Sequence, residues 1–183
     1  MKEKYGKGQQ KGAAWYITGL IGLLVLIALD QWTKHLAVLH LKDQPDIILI
    51  PGVFQLHYLE NRGAAFGILQ GQKAVFLICT AVVLVLIAFY YNRLPGGRRY
   101  TLMRVVAVLL AAGALGNLID RMRYSYVVDF LYFKLIDFPV FNVADCYVTV
   151  GAVLLAVLIL FVYKEEELGF LSLRKRDERQ KDR

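Results

Sequence analysis

Four long apolar runs divide this chain, and they limit its fold more than any other feature. They lie at about 15–39, 74–91, 102–121 and 143–163, each close to the roughly 20 apolar residues needed to cross a hydrocarbon core. A backbone in lipid must satisfy its own N–H and C=O groups, so runs of this kind form helices. Together they take up about half of the 183 residues, which leaves no room for a separate soluble domain. The composition agrees, with 57% hydrophobic and 20% charged residues, where soluble domains carry about 25% charge. The expectation is an all-α integral membrane protein, a single membrane domain over 1–183 with four transmembrane helices.

The first run follows Lys2, Lys4, Lys7 and Lys11 and ends in "LDQWTKHL" with no small-x-small cleavage site, so it reads as an uncleaved span rather than a removable signal peptide. Lys and Arg counting sets the orientation. Residues 1–14 hold four lysines, residues 92–104 hold Arg93, Arg98, Arg99 and Arg104, and the tail at 164–183 holds seven basic residues. With four spans these regions share one side, so both termini are expected in the cytoplasm, and segments 40–72 and 122–141 face outward. The net charge of +7 then reads as positive-inside bias with attraction to membrane lipid. No nucleic-acid motif is present, so no nucleic-acid partner is expected.

Between the spans, "RLPGGRRY" is a tight turn. The segment from Ile47 to Asn61 offers two short β-type runs around Pro51 and Gly52, with Phe54, Leu56 and Tyr58 on one side and Gln55 and His57 on the other, as in a small hairpin or sheet at the membrane surface. The aromatic segment Arg123 to Pro139 suits the interface and is expected to include a short amphipathic helix. In the third run Ala112, Gly113 and Gly116 form a small-residue strip along which another helix can pack closely.

Charges inside a bilayer cost at least about 2.5–3.5 kcal/mol on insertion scales, so each calls for a partner or a purpose. Asp30 and Lys34 are four apart on one helix face. Asp120 and Arg121 are neighbours, with Asn117 facing the same way as Arg121, and read as a fixed polar brace that can also reach a substrate carbonyl. Asp137 has Lys134 three residues before it and Pro139 after it, as in a solvated loop. Asp129 and Asp145 differ: no basic residue lies within four positions of either one. Both fall at the outer membrane boundary, where a folded-back connection would let them meet. Repulsion and desolvation would then keep one protonated and the other ionised, a pair able to activate water and protonate a carbonyl or leaving amine. Helix capping and a proton relay remain open for these acids.

Other chemistry is poorly supplied. The two serines, Ser125 and Ser172, lack a Gly-x-Ser-x-Gly elbow. His35, His40 and His57 show no metal-ligand spacing, so neither metal nor cofactor is expected. Cys79 and Cys146 sit at different depths, which argues against a disulfide, and Cys146 reads as a packed thiol.

Four blocks, "DQWTK" (Asp30 to Lys34), "ENRGAAFGIL" (Glu60 to Leu69), "GALGNLIDR" (Gly113 to Arg121) running on to "VVDF" (Val127 to Phe130), and "FNVAD" (Phe141 to Asp145), resemble the bacterial lipoprotein signal peptidases, or signal peptidase II. The resemblance implies a four-helix membrane aspartyl endopeptidase of the bacterial cytoplasmic (inner) membrane, with its site toward the outer leaflet. Its substrate would be a diacylglyceryl-modified prolipoprotein, cut just before the lipidated cysteine. The resemblance also places the catalytic pair on Asp129 and Asp145 and the polar site lining on Asn61, Asn117, Arg121 and Asn142. Asp30 and Lys34 become a first-helix pair and Gly113 a close-packing glycine, with Asp120 a further support. It implies inhibition by globomycin, and a monomer is the expected state. Cys146 and the charged tail depart from the family pattern. A proton-coupled transporter using intramembrane carboxylates and a non-catalytic scaffold are the competing readings.

Overall fold

The computed structural model describes residues 12–63 and 73–171. Its long elements are α1 (Ala13–Leu41), β1 (Ile47–Ile50), β2 (Phe54–Asn61), α2 (Lys73–Arg93), α3 (Thr101–Tyr124), β3 (Val127–Tyr132) and α4 (Val143–Val157). All four helical runs are long and apolar enough to cross a membrane, the third counted from Arg98 and the fourth to Val162. Side chains such as Leu24, Val85 and Phe161 are exposed, as a lipid-facing surface requires.

The third helix is central, packing against α1, α2 and α4. Its small residues make that possible. A Cβ on Gly113 would lie 2.5 Å from the Ala144 carbonyl oxygen, and one on Gly116 would lie 2.5 Å from the Asp30 carboxylate. The strip of Ala112, Gly113 and Gly116 is therefore buried, with α4 crossing it closely.

At one end of the bundle Trp15, Leu94, Met103, Val106, Leu158 and Tyr163 form a buried cluster. A 3₁₀ segment, Glu165–Leu171, closes this end: Arg99 grips Glu167 at 2.8 and 3.0 Å, and the Tyr100 and Tyr163 rings stack at 5.5 Å.

At the other end the chain builds an antiparallel sheet in the order β1-β2-β3. Pro51 and Gly52 turn the first hairpin, with Gly52 at φ 74°, where glycine avoids the Cβ penalty. Alternation gives the sheet two working faces. Leu56 and Tyr58 of β2 pack with Val128 and Phe130 of β3 against Ala37 and Leu41 of α1. Phe54 leaves that face and contacts the Phe133 ring, 4.8 Å away. The opposite face carries Gln55, His57, Leu59, Asn61, Val127 and Asp129 into a cavity.

The aromatic segment after α3 differs from expectation. Its longest regular element is the strand β3, and its helical part after α3 is the three-residue 3₁₀ turn Lys134–Ile136. The sequence "VVDFLY" is rich in residues that favour strands, and the edge of β2 offers it a hydrogen-bonding partner. Opposite Phe141 the strand bulges: the amides of Phe130 and Leu131 both donate to the Phe141 carbonyl, at 3.0 and 2.8 Å. The irregularity brings Tyr132 to the cavity as well as Asp129.

Candidate active site

The cavity, of about 1020 Å³, lies between the inner face of the sheet and the ends of α3 and α4. Asn117 and Arg121, one turn apart, enter it from α3, Asp129 from β3, and Asp145 and Cys146 from the first turn of α4. Chain order explains the meeting: β3 leaves α3 toward the sheet, and the loop over Pro139 returns to start α4 beside it.

Asn142 starts α4 and is buried. Its side chain accepts the Asp145 amide at 3.0 Å while Asp145 Oδ2 accepts the Asn142 amide at 3.0 Å, a reciprocal cap. Asp145 is thus a helix cap and a cavity residue at once. The partial positive charge of the helix N-terminus lies beside its carboxylate.

Amides join the two acids. Asn142 Nδ2 donates to Asp129 Oδ1 at 2.6 Å and to Asn117 Oδ1 at 3.1 Å. Asn117 Nδ2 donates to Asp145 Oδ1 at 2.8 Å, and Asn61 Nδ2 to Asp129 Oδ2 at 2.8 Å. Among the described residues neither acid makes an ion pair within 4.0 Å. Burial pushes the Asp129 carboxyl up to about 7, and the nearby Asp145 charge adds to the rise. A carboxyl at that level exchanges its proton near neutrality, as a general acid must.

Behind this pair lies a second, closed network. Lys34 contacts Asp30 Oδ2 at 3.1 Å and Asp120 Oδ2 at 3.0 Å, and it donates to Asn117 Oδ1 at 2.8 Å. Gln31 bridges Asp120 and Asp30 at 2.9 and 3.2 Å. The first-helix pair forms as its spacing predicts. The brace expected between Asp120 and Arg121 does not: Asp120 turns to α1 and to the Val128 amide, 3.1 Å away. Arg121 instead faces the cavity, donating to the Gly63 carbonyl at 3.4 Å and lying 4.5 Å from the Phe76 ring centre. Asp137 is exposed and accepts the Tyr132 hydroxyl at 2.6 Å. Cys79 and Cys146 are free thiols, with Cys146 on the cavity wall. Of the "ENRGAAFGIL" block, residues 64–69 lie outside the described residues.

Three contributors had no sequence signal as site residues: Gln31, the Gly63 carbonyl, and the far rim where Asp46 accepts from Gln55 and meets His57 Nδ1 at 2.8 Å. The alternation of β2 did place Gln55 and His57 together, opposite the packed face.

Residues 22–161 match the family described as signal peptidase (SPase) II. The chain belongs to that family. A lipoprotein signal peptidase from Streptococcus thermophilus (strain CNRZ 1066) is 47% identical over 147 residues, covering 80% of this chain and 92% of that protein. One from Halothermothrix orenii is 44% identical over 149 residues, covering 81% and 97%. A solved structure described as a bacterial membrane enzyme superposes with a TM-score of 0.71 at 30% identity, covering 86% of this chain and 99% of that one. A second of the same description gives 0.68 at 29% identity, covering 86% and 93%. The matched span contains every residue of the two polar networks. Membership makes this chain a multi-pass membrane peptidase, and nothing in these likenesses favours a transporter.

Proposed function

We propose that this peptidase removes the signal peptide from diacylglyceryl-modified prolipoproteins by aspartic catalysis, with Asp129 and Asp145 as the reacting pair. One observation carries the aspartic reading: two acids that have no ion-pair partner among the described residues face one cavity and are joined through neutral amides. Asp145, beside a helix N-terminus, takes a proton from water as the water oxygen bonds to the scissile carbonyl carbon. Asp129 gives its proton to the carbonyl oxygen, forming a gem-diol. The gem-diol returns a proton to Asp129, Asp145 protonates the nitrogen of the lipidated cysteine, and the C–N bond breaks. The products are a new carboxyl on the signal peptide and a free amine on the cysteine, and both acids end as they began.

Asn61, Asn117 and Asn142 hold the carboxyls, and Arg121 stands at the cavity wall within reach of a substrate carbonyl. A lipidated cysteine stays at headgroup depth, where the helix ends and the sheet meet, so the cavity faces the outer leaflet and both termini lie in the cytoplasm. The enzyme acts as a monomer, with globomycin as an inhibitor of this cavity.

The test uses purified protein with a prolipoprotein in diacylglyceryl-modified and unmodified forms. Cleavage of the modified form alone, lost in Asp129→Asn and in Asp145→Asn, is expected. A normal rate in either variant would overturn the catalytic assignment.

A further inference from the structure

The closed network behind the cavity contains a donor that fixes the orientation of its neighbours. The Lys34 ammonium has three N–H groups and no acceptor, and it faces three oxygens, on Asn117, Asp120 and Asp30. Asn117 must therefore turn its Oδ1 toward Lys34, which sends its Nδ2 to Asp145. The reversed amide would set NH₂ against the ammonium and oxygen against the Asp145 carboxylate. The same Oδ1 accepts Asn142 Nδ2, so Asn142 is also held with its N–H on Asp129 and its oxygen on the α4 cap.

The two acids that share Lys34 extend this control to the backbone. Asp30 Oδ1 accepts the amide of Ala144 at 2.9 Å, the residue before Asp145. Asp120 Oδ2 accepts the amide of Val128, the residue before Asp129. Each reactive acid is thus approached twice from one cation, through an amide side chain and through the preceding peptide.

We propose that Lys34 is a positioning residue for the reaction: it sets the direction of the Asn117 amide and so keeps an N–H on each carboxyl of the Asp129/Asp145 pair. This rests on the dyad reading above, and it goes beyond a structural brace because the orientation, not only the fold, depends on a donor-only group. Touching no substrate, Lys34 acts on turnover rather than on binding.

The test is a cycle of full-length variants in detergent with lipidated prolipoprotein: Asn117→Ala, the pair Lys34→Met/Asp30→Asn, and their combination. The paired change removes one charge of each sign, leaving the buried balance intact. Expected is a loss in kcat of about 10²-fold with KM unchanged, a displaced acid limb of the pH profile, and no further loss when the changes are combined. Lys34→Arg, still donor-only, should recover most of kcat. Losses that multiply, or a lower unfolding midpoint with wild-type kcat and pH profile, would overturn the proposal. So would failure of both Lys34 variants to fold, which would make Lys34 purely structural. Asp129→Asn run alongside separates the two claims: cleavage there removes the dyad reading, while its loss with multiplying effects removes only this inference.

Discussion

Two pairs of aspartates stand back to back at one end of this bundle, and they have opposite surroundings. Asp30 and Asp120 share a lysine, a glutamine and two backbone amides, and both are buried away from the cavity. Asp129 and Asp145 receive N–H groups from asparagines and from the α4 cap, meet no cation within ion-pair distance among the described residues, and line the cavity. The same functional group is neutralised in one place by a shared cation and in the other receives N–H groups of neutral amides, which on the proposed mechanism leaves it free to exchange a proton. Asn117 separates the two, with its oxygen on the lysine side and its nitrogen on the reactive side.

Substitutions break this contrast to different degrees. Asp129→Asn and Asp145→Asn should each lower cleavage by about 10³-fold or more, with the elution profile and unfolding midpoint of a folded protein.

Stability against pH should separate the pairs next. Because the Asp129 carboxyl titrates near 7 in the fold rather than at 3.8, the folded chain holds a proton that the unfolded chain releases. Stability therefore declines as pH rises from 3.8 through about 7, by about 4 kcal/mol in all. Thermal unfolding of Asp129→Asn should lack this part of the decline.

On the inert side, Asp120→Ala strips Lys34 of one carboxylate and leaves the Val128 amide unpaired, so a loss of about 3 kcal/mol is expected by denaturation in detergent. The smallest change is at the helix crossing. Gly113→Ala would press against the Ala144 carbonyl and Val148, costing about 1–3 kcal/mol in unfolding and disturbing the start of α4 that carries Asp145.

Much of this was legible in the sequence, for identifiable reasons. Span length and apolarity depend on local composition, so the four helices follow directly, and the missing basic neighbours of Asp129 and Asp145 pick out the two acids that meet in the cavity. Pairing across elements was not legible. Adjacency pairs Asp120 with Arg121, yet its cation comes from α1, where spacing matches Lys34 with Asp30 alone. The aromatic residues of the segment containing β3 suit the interface in a helix or a strand alike, and pairing with β2 settles it as a strand. Gln31 lies inside the "DQWTK" block but is given no role there, and its role arises from lying between two acids on different helices.

The dependence of kcat/KM on pH tests the shared proton most directly. A bell is predicted, with its alkaline limb near the value of about 7 that burial gives Asp129 and its acid limb where the pair takes up a second proton. A rate that stays level, or keeps rising, from acid to alkaline conditions would contradict the account.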